Sequence, residues 1–231
     1  MELQPRLFDF AAHGDGAGAF IVSDSNRAAV ALLEQWRAWP GGALALTGPA
    51  GAGKTRLARL WAGEAGAAWM SATASPSELL AAFEAHHRRL AFDPADAPRD
   101  DQALIALLDA ARQEGGAVLL VGREPPERWR AGLGDLRSRF TALLAARLEE
   151  PDDYLRTELL RRLCRARFIE LRENVAKYLS QNMERSYAAL HALVDEVDKL
   201  MTAGSQPVPY DVAAEALARL ARRGQGEPVS A

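Results

Sequence analysis

A glycine-rich segment that ends in Lys-Thr has the residue types and spacing best suited to chemistry in this sequence. It matches the pattern G-x-x-x-x-G-K-[ST] in full, with the residues Gly48, Pro49, Ala50, Gly51, Ala52, Gly53, Lys54 and Thr55. The glycines let successive backbone N–H groups converge on phosphate oxygens, and the following helix N-terminus adds partial positive charge. Lys54 is expected to reach β- and γ-phosphates, and Thr55 to bind Mg²⁺. The expected cofactors are therefore ADP or ATP with Mg²⁺.

Hydrolysis of a bound nucleotide would also need acidic residues at the end of a neighbouring strand. In LAFDPAD, Asp93 is the candidate metal-binding carboxylate, although it could equally open a turn before Pro94. Pro94 stands where a second acid is expected, and Asp96 lies further along. The next apolar strand, VLLVGREPP, offers no Asn, Thr or Ser after Val121 to orient a water molecule. We therefore expect weak intrinsic ATPase activity.

The elements that must position these residues alternate along the chain. Short apolar runs at ALALTG, AAWMSA, RRLAFD, AVLLVG and TALLAARL predict five strands, separated by helical patterns at 54–64, 76–87, 101–113 and 133–139. An earlier helix is expected to run from a cap at Ser23–Ser25 to about Trp39. Strands alternating with helices predict an α/β domain with a five-stranded parallel sheet. The glycine-rich segment follows the first strand and precedes a helix, which favours a true phosphate site over a chance turn.

From Glu149 onward every segment has helical spacing. Helices are predicted over 152–167, 171–181, 184–202 and 209–222. The predicted organisation is a flexible tail at 1–19, an α/β base at 20–150, a helical lid at 151–222 and a disordered tail at 223–231.

Composition limits the protein class. The chain is 48% hydrophobic and 26% charged, with a net charge of −3 and one cysteine, Cys164. This profile is typical of a globular protein in a reducing compartment and argues against direct DNA binding. No apolar run approaches the ~20 residues that span a bilayer, and no secretory signal is recognisable. We expect a cytoplasmic protein without membrane contact.

Several local patterns resemble the DnaA-like AAA+ family. FIVSDSN is similar to a segment ahead of the P-loop in the initiator DnaA, REPPERWRAGLGDLRSRF to the stretch after its fourth strand, and LEEPDDYLRTELLRR to the start of its lid. The resemblance covers about residues 20–222. A module of this kind with only a short N-terminal peptide resembles the Hda (HdaA) family of regulators. That resemblance implies an AAA+ P-loop base with a lid, and a role in promoting hydrolysis of DnaA-bound ATP together with the DNA-loaded sliding clamp.

The resemblance also gives an interpretation of the segment QPRLFDF. Clamp-binding peptides follow a loose Q-x-x-L-F pattern, which Gln4, Leu7 and Phe8 fit, with Phe10 nearby. A short extended peptide with few anchors gives a releasable interaction. The alternative is that Leu7 and Phe8 fold back onto the chain's own sheet. The implied partners are DnaA and the β subunit of DNA polymerase III, with DNA contacted only through the clamp.

Three arginines are interpreted through the resemblance alone. In LRSRF, Arg139 occupies the place of an arginine finger that acts in trans. Arg137 is the less favoured finger, with pairing to an acid at the interface as its alternative role. In MERSYAAL, Arg185 is the candidate lid arginine that contacts the bound nucleotide, although a gapless reading places Ala188 there. A solvated surface arginine remains the alternative for Arg139, and a surface ion pair for Arg185.

Three functional hypotheses follow from these residues. The first is a negative regulator of replication initiation that binds adenine nucleotide and the clamp and stimulates DnaA through Arg139. The second is an autonomous ATPase such as a helicase loader, against which Pro94 argues. The third is a nucleotide-gated clamp adaptor without a catalytic finger. Self-association into a homodimer is left open.

Overall fold

The computed structural model describes residues 20–201 and 207–224 of the 231-residue chain. They divide into two compact units. The first unit comprises residues 24–149, and the second comprises residues 20–23 together with the described residues from 150 onward. Within the described ranges, no helix combines the length and apolarity that crossing a membrane requires.

The first unit is an α/β domain built on a five-stranded, all-parallel sheet, as predicted. Its strands are β1 (Ala43–Thr47), β2 (Ala68–Met70), β3 (Arg89–Phe92), β4 (Ala117–Val121) and β5 (Leu144–Arg147). Their order across the sheet is β2-β3-β4-β1-β5. Five α-helices accompany them, namely α1 (Arg27–Glu34), α2 (Lys54–Ala65), α3 (Pro76–Ala85), α4 (Asp101–Glu114) and α5 (Gly134–Ala142). The central strands β1 and β4 are buried along their whole length, as expected for a sheet covered on both faces.

Each face of the sheet has its own core. Ala43 and Ala45 of β1 belong to a cluster with Leu104 and Leu107 of α4. Because side chains alternate along a strand, Leu44 and Leu46 point to the opposite face. A separate aromatic group on this unit stacks Trp39 on Trp61 at 5.2 Å between ring centroids, with Trp36 edge-on to Trp61 at 6.4 Å. These cores fix the sheet whose carboxyl edge carries the candidate site.

Three element boundaries differ most from the sequence prediction. The first helix begins at Arg27 after Asn26, so the predicted cap at Ser23–Ser25 is wrong. The first helix ends at Glu34 instead of near Trp39, since Trp36–Ala38 forms a 3₁₀ turn that leads to Pro40. Helix α5 continues to Ala142, so β5 begins only at Leu144. The extra turn of α5 buries Phe140 edge-on against Trp129, with 5.2 Å between the rings.

The second unit is entirely helical in its described residues. It contains α6 (Asp153–Arg165), α7 (Glu173–Asn182), α8 (Tyr187–Leu200) and α9 (Tyr210–Gly224). Asp152 caps α6 by accepting a hydrogen bond from the Leu155 amide at 2.8 Å, and Ser186 caps α8 through the Ala189 amide at 3.1 Å. Leu155, Leu190, Val194 and Val197 are all buried. The predicted helical unit is therefore present.

Candidate phosphate-binding site

The glycine-rich segment connects the end of β1 to the start of α2. The Gly48 amide donates a 3.3 Å hydrogen bond to the Arg123 carbonyl oxygen, which ties the start of the segment to the chain after β4. Gly48 has a φ of +143°, and a Cβ there would lie 2.4 Å from the backbone oxygen of Leu148. Only glycine fits at this approach of three chain segments, which gives a structural reason for the first glycine of the pattern.

The segment then curls so that α2 begins at Lys54. Gly53 precedes the helix in the left-handed conformation, with φ at 85°, and its carbonyl accepts the Leu57 amide at 2.8 Å. The Lys54 ammonium folds back over the loop, donating to the carbonyl oxygens of Gly48 at 2.8 Å and Pro49 at 2.7 Å. A half-buried cation thus lies over a glycine-rich loop that leads into a helix N-terminus, an arrangement that suits phosphate oxygens.

The surroundings of Lys54 destabilise its positive charge. Partial burial lowers the pKa of Lys54 below its usual value, and the nearby positive charge of Arg123 lowers it further. The carboxylates of Asp93 and Asp96 act in the opposite direction. A bound anion would stabilise the protonated amine, so the site is electrostatically prepared for negatively charged ligands.

The candidate metal ligands lie directly opposite each other. The Thr55 hydroxyl, in the first turn of α2, donates a 2.8 Å hydrogen bond to Oδ2 of Asp93 at the end of β3. Hydroxyl and carboxylate oxygens are ligands that Mg²⁺ accepts, normally with phosphate oxygens and water completing the shell. These two residues therefore fit the expected ion. Within the described ranges, no group of three or more His, Cys, Asp or Glu side chains forms a separate metal site.

Asp96 contacts a different part of the site from Asp93. Its Oδ2 accepts a 2.6 Å hydrogen bond from the backbone amide of Arg123, and so it holds the loop that follows β4. The Ala95 amide also donates to the Val121 carbonyl at 2.6 Å. The segment after Asp93 is therefore tied to the chain that follows β4.

Arg139 is bound within its own chain. Its guanidinium makes a two-pronged contact with Asp109 of α4, with Nη1–Oδ1 at 2.7 Å and Nη2–Oδ2 at 3.1 Å. It also donates to Asp135, one turn earlier on α5, at 3.1–3.2 Å. Arg137 is more exposed and donates to the Ala131 carbonyl at 3.0 Å. It is therefore Arg139, not Arg137, that pairs with acidic residues here.

The second unit contains two arginines close to the Asp153 carboxylate. Arg185, the candidate lid arginine, immediately precedes the α8 cap residue and lies 3.8 Å from the Asp153 carboxylate, with 76% of its side chain exposed. Arg156 of α6 is only 2% exposed and also pairs with Asp153. Its Nε and Nη1 atoms have no hydrogen-bond partner among the described residues. The spacing of Arg156 four residues before Leu160, which puts both side chains on one face of α6, was the only signal in the sequence for the burial of Arg156.

The predicted tail at 1–19 lies outside the described residues, and with it the candidate clamp-binding residues Gln4, Leu7, Phe8 and Phe10. The prediction for them stays a prediction.

A parallel sheet in the order β2-β3-β4-β1-β5, a complete P-loop after β1 and a following helical unit together define a P-loop fold of the AAA+ type. Solved structures agree with this assignment. Domain III of the replication initiation protein DnaA from Thermotoga maritima matches with a TM-score of 0.64 and 17% identity, covering 87% of this chain and 94% of that one. The Thermotoga maritima RuvB Holliday junction branch migration motor matches with a TM-score of 0.63 and 19% identity, covering 87% and 70%. At these identities the likeness establishes the fold.

Sequence comparison also leads to DnaA. The chromosomal replication initiator protein DnaA of Symbiobacterium thermophilum is 27% identical over 109 residues, which make up 47% of this chain. The match spans about a quarter of that relative, 24% of its length. A replication initiator DnaA bound to AMPPCP and single-stranded DNA matches in structure with a TM-score of 0.57 and 18% identity, covering 88% of this chain and 67% of that one. No family model matches the sequence.

Proposed function

We propose that this chain is a cytoplasmic regulator of replication initiation that binds ADP or ATP with Mg²⁺ and stimulates hydrolysis of the ATP held by DnaA. The observation that carries the proposal is the extent of its likeness to DnaA domain III, of which it covers 94% while keeping a complete P-loop. Because the chain has the same fold as DnaA domain III, we expect it to pack against that domain of DnaA.

The nucleotide bound by this chain serves mainly as a structural ligand in this proposal. The phosphates would be bound by loop amides and Lys54, and the metal by Thr55 and Asp93. A second carboxylate that could polarise an attacking water is not next to Asp93, because Pro94 follows it and Asp96 binds the Arg123 amide. Tight nucleotide binding with slow turnover is the expected behaviour.

Stimulation of DnaA is assigned to Arg139, acting on the partner's ATP. A planar guanidinium can stabilise charge on the transferring phosphoryl group, and such residues contribute roughly 10³–10⁵ in rate. In the isolated chain Arg139 is held by Asp109 and Asp135. Its use in trans therefore requires the exchange of these carboxylates for the phosphates of the neighbour.

Recruitment is assigned to the N-terminal segment that contains Gln4, Leu7 and Phe8, which would bind the β sliding clamp on DNA. The test is single-turnover hydrolysis of labelled ATP preloaded on DnaA, with DNA-loaded clamp and this chain. Wild type should accelerate hydrolysis, and the Leu7→Ala/Phe8→Ala double variant should lose both this effect and co-elution with the clamp. Absence of acceleration by wild type would overturn the regulatory role.

A clamp adaptor without a catalytic finger is a second candidate. The bidentate contact of Arg139 with Asp109 favours the adaptor, because it gives the guanidinium a structural role within the chain. Clamp co-elution by wild type without any acceleration of DnaA would select the adaptor.

A further inference from the structure

The end of α6 and the loop that leads to α7 concentrate positive charge in a chain that is negative overall. Residues 161–172, RRLCRARFIELR, contain five arginines and one acid, Glu170. Five positive charges less one negative charge leave a formal charge of +4 on this segment, against −3 for the whole chain. A ligand of the segment is therefore expected to be anionic.

Two of these arginines are free of carboxylates within the described part of the chain. Arg165 and Arg172 are exposed, and their guanidinium groups make neither a hydrogen bond nor an ion pair with any residue that the structure describes. Arg161, in contrast, contacts Glu158 at 3.0 Å and Glu173 at 3.8 Å. Arg165 and Arg172 are therefore the cations of this group most available to a ligand.

Phe168 lies between these two arginines in the sequence. It is 86% exposed and has a φ of +59°, a left-handed conformation that is unfavourable for a bulky side chain. The backbone fixes the turn, since the Phe168 amide donates to the Arg165 carbonyl at 3.0 Å and the Ile169 amide to the Cys164 carbonyl at 2.9 Å. Glycine is the usual residue where a chain leaving a helix turns left-handed. An exposed aromatic ring at such a position indicates a function for the ring.

A groove with a volume of about 680 Å³ lies beside the ring. Its lining comprises Arg161, Arg165, Phe168, Ile169, Glu170 and Leu171. The volume lies within the ~300–1,000 Å³ of ordinary ligand sites. An aromatic face, apolar side chains and an unpaired guanidinium are thus present at one place on the second unit.

From this arrangement we propose that the α6–α7 loop binds single-stranded nucleic acid, with a base stacked on Phe168 and neighbouring phosphates contacted by Arg165 and Arg172. Proteins that bind single strands combine cations along the backbone with aromatic rings on which bases stack. An acidic protein segment would also satisfy the arginines, but the exposed ring favours a ligand that supplies a flat aromatic face, as every base does. This local contact departs from the expectation, drawn from the net charge of the whole chain, that DNA is not bound directly.

The test is fluorescence anisotropy of the full chain with a labelled oligothymidylate of about 12 nucleotides, at salt concentrations between about 50 and 200 mM. Wild type should bind with a slope of log affinity against log salt of about −1.4, because each phosphate contact on a single strand contributes about −0.7. Arg165→Ala or Arg172→Ala should reduce this slope by about half. Phe168→Ala should weaken binding about fivefold or more without changing the slope.

Matched variants separate stacking from other roles of the ring. Phe168→Tyr should keep the affinity, whereas Phe168→Leu should lose it as alanine does, because leucine is apolar but has no ring. Phe168→Gly should lose binding and yet keep or raise the urea midpoint followed by circular dichroism, since glycine relieves the left-handed φ. Tyr154→Ala removes a 60% exposed aromatic residue from α6, and Arg130→Ala removes an exposed arginine from the first unit. Both should bind as wild type does.

Three results would overturn the inference. The first is no binding of the oligonucleotide by wild type. The second is binding that the variants of Phe168, Arg165 and Arg172 leave unchanged, which would place the nucleic acid elsewhere on the chain. The third is binding of a labelled oligoglutamate peptide in place of the oligonucleotide, with loss in the same variants, which would assign the loop to an acidic protein partner.

Discussion

The contact between Arg139 and Asp109 should stabilise the first unit measurably. Two hydrogen bonds of 2.7 and 3.1 Å join the side chains, which are 24% and 29% exposed. Exposed ion pairs contribute about 0.2–1 kcal/mol, and paired guanidinium–carboxylate contacts with partial burial contribute more. A double-mutant cycle with Arg139→Ala and Asp109→Ala should therefore give a coupling free energy of about 1–2 kcal/mol.

The same arginine provides a matched control. Asp135 lies one turn before Arg139 on α5 and is 59% exposed, so its contact is an ordinary helical i,i+4 pair. The corresponding cycle with Asp135→Ala should give only about 0.3–0.5 kcal/mol. Urea unfolding followed by tryptophan fluorescence is the assay, because all five tryptophans lie between Trp36 and Trp129, within the first unit.

The coupling should also depend on pH in a defined direction. The hydrogen bond from Arg139 is the largest cause that holds the pKa of Asp109 below its usual value in the folded state. A carboxyl whose pKa is lowered by folding contributes its full stabilisation above its unfolded pKa of about 4, and loses it as pH falls through the folded value. A coupling to Asp109 no larger than that to Asp135, or one that does not fade in acid, would refute this account and leave Arg139 free to reach a partner.

Three further predictions concern the phosphate site, the packing of the first unit and the packing of the second unit. Lys54→Ala should weaken binding of labelled ADP by at least about tenfold in equilibrium titration, because the substitution removes the ammonium that lies over the phosphate-binding loop. Gly122→Ala should destabilise the first unit by about 1–3 kcal/mol in urea unfolding, since the added Cβ would meet the Trp129 ring at 2.6 Å. Burial raises the pKa of Cys164 to about 11, so its thiol should react with iodoacetamide at pH 8 only when the second unit opens, and fast reaction in the folded chain would contradict its burial.

The sequence was sufficient to predict the sheet because its strands are short, mostly apolar and separated by helical spacing. Boundaries failed where a tertiary contact decided them. Thr141 and Ala142 have no strong preference, and they join α5 because the additional turn brings Phe140 onto Trp129. Local pattern carries no information about that contact.

The site was predictable to the extent that it is local. The P-loop is contiguous, and its motif fixes both the turn and the helix that follows. The pairing of Arg139 with Asp109 was not predictable, since Asp109 is 30 residues away on another helix. The contact of the Gly48 amide with the Arg123 carbonyl was not predictable for a related reason, because the two residues follow different strands and only the sheet order brings them together.

The most direct test of the account is single-turnover hydrolysis of ATP on DnaA, with loaded clamp, by wild type, Arg139→Ala, Arg137→Ala and Asp109→Asn. Arg139→Ala should abolish the acceleration, a loss of about 10³-fold or more relative to full stimulation. Arg137→Ala should keep most of it, and Asp109→Asn should keep or increase it, because it loosens Arg139 without removing it. Acceleration by Arg139→Ala equal to that of wild type would contradict the central claim.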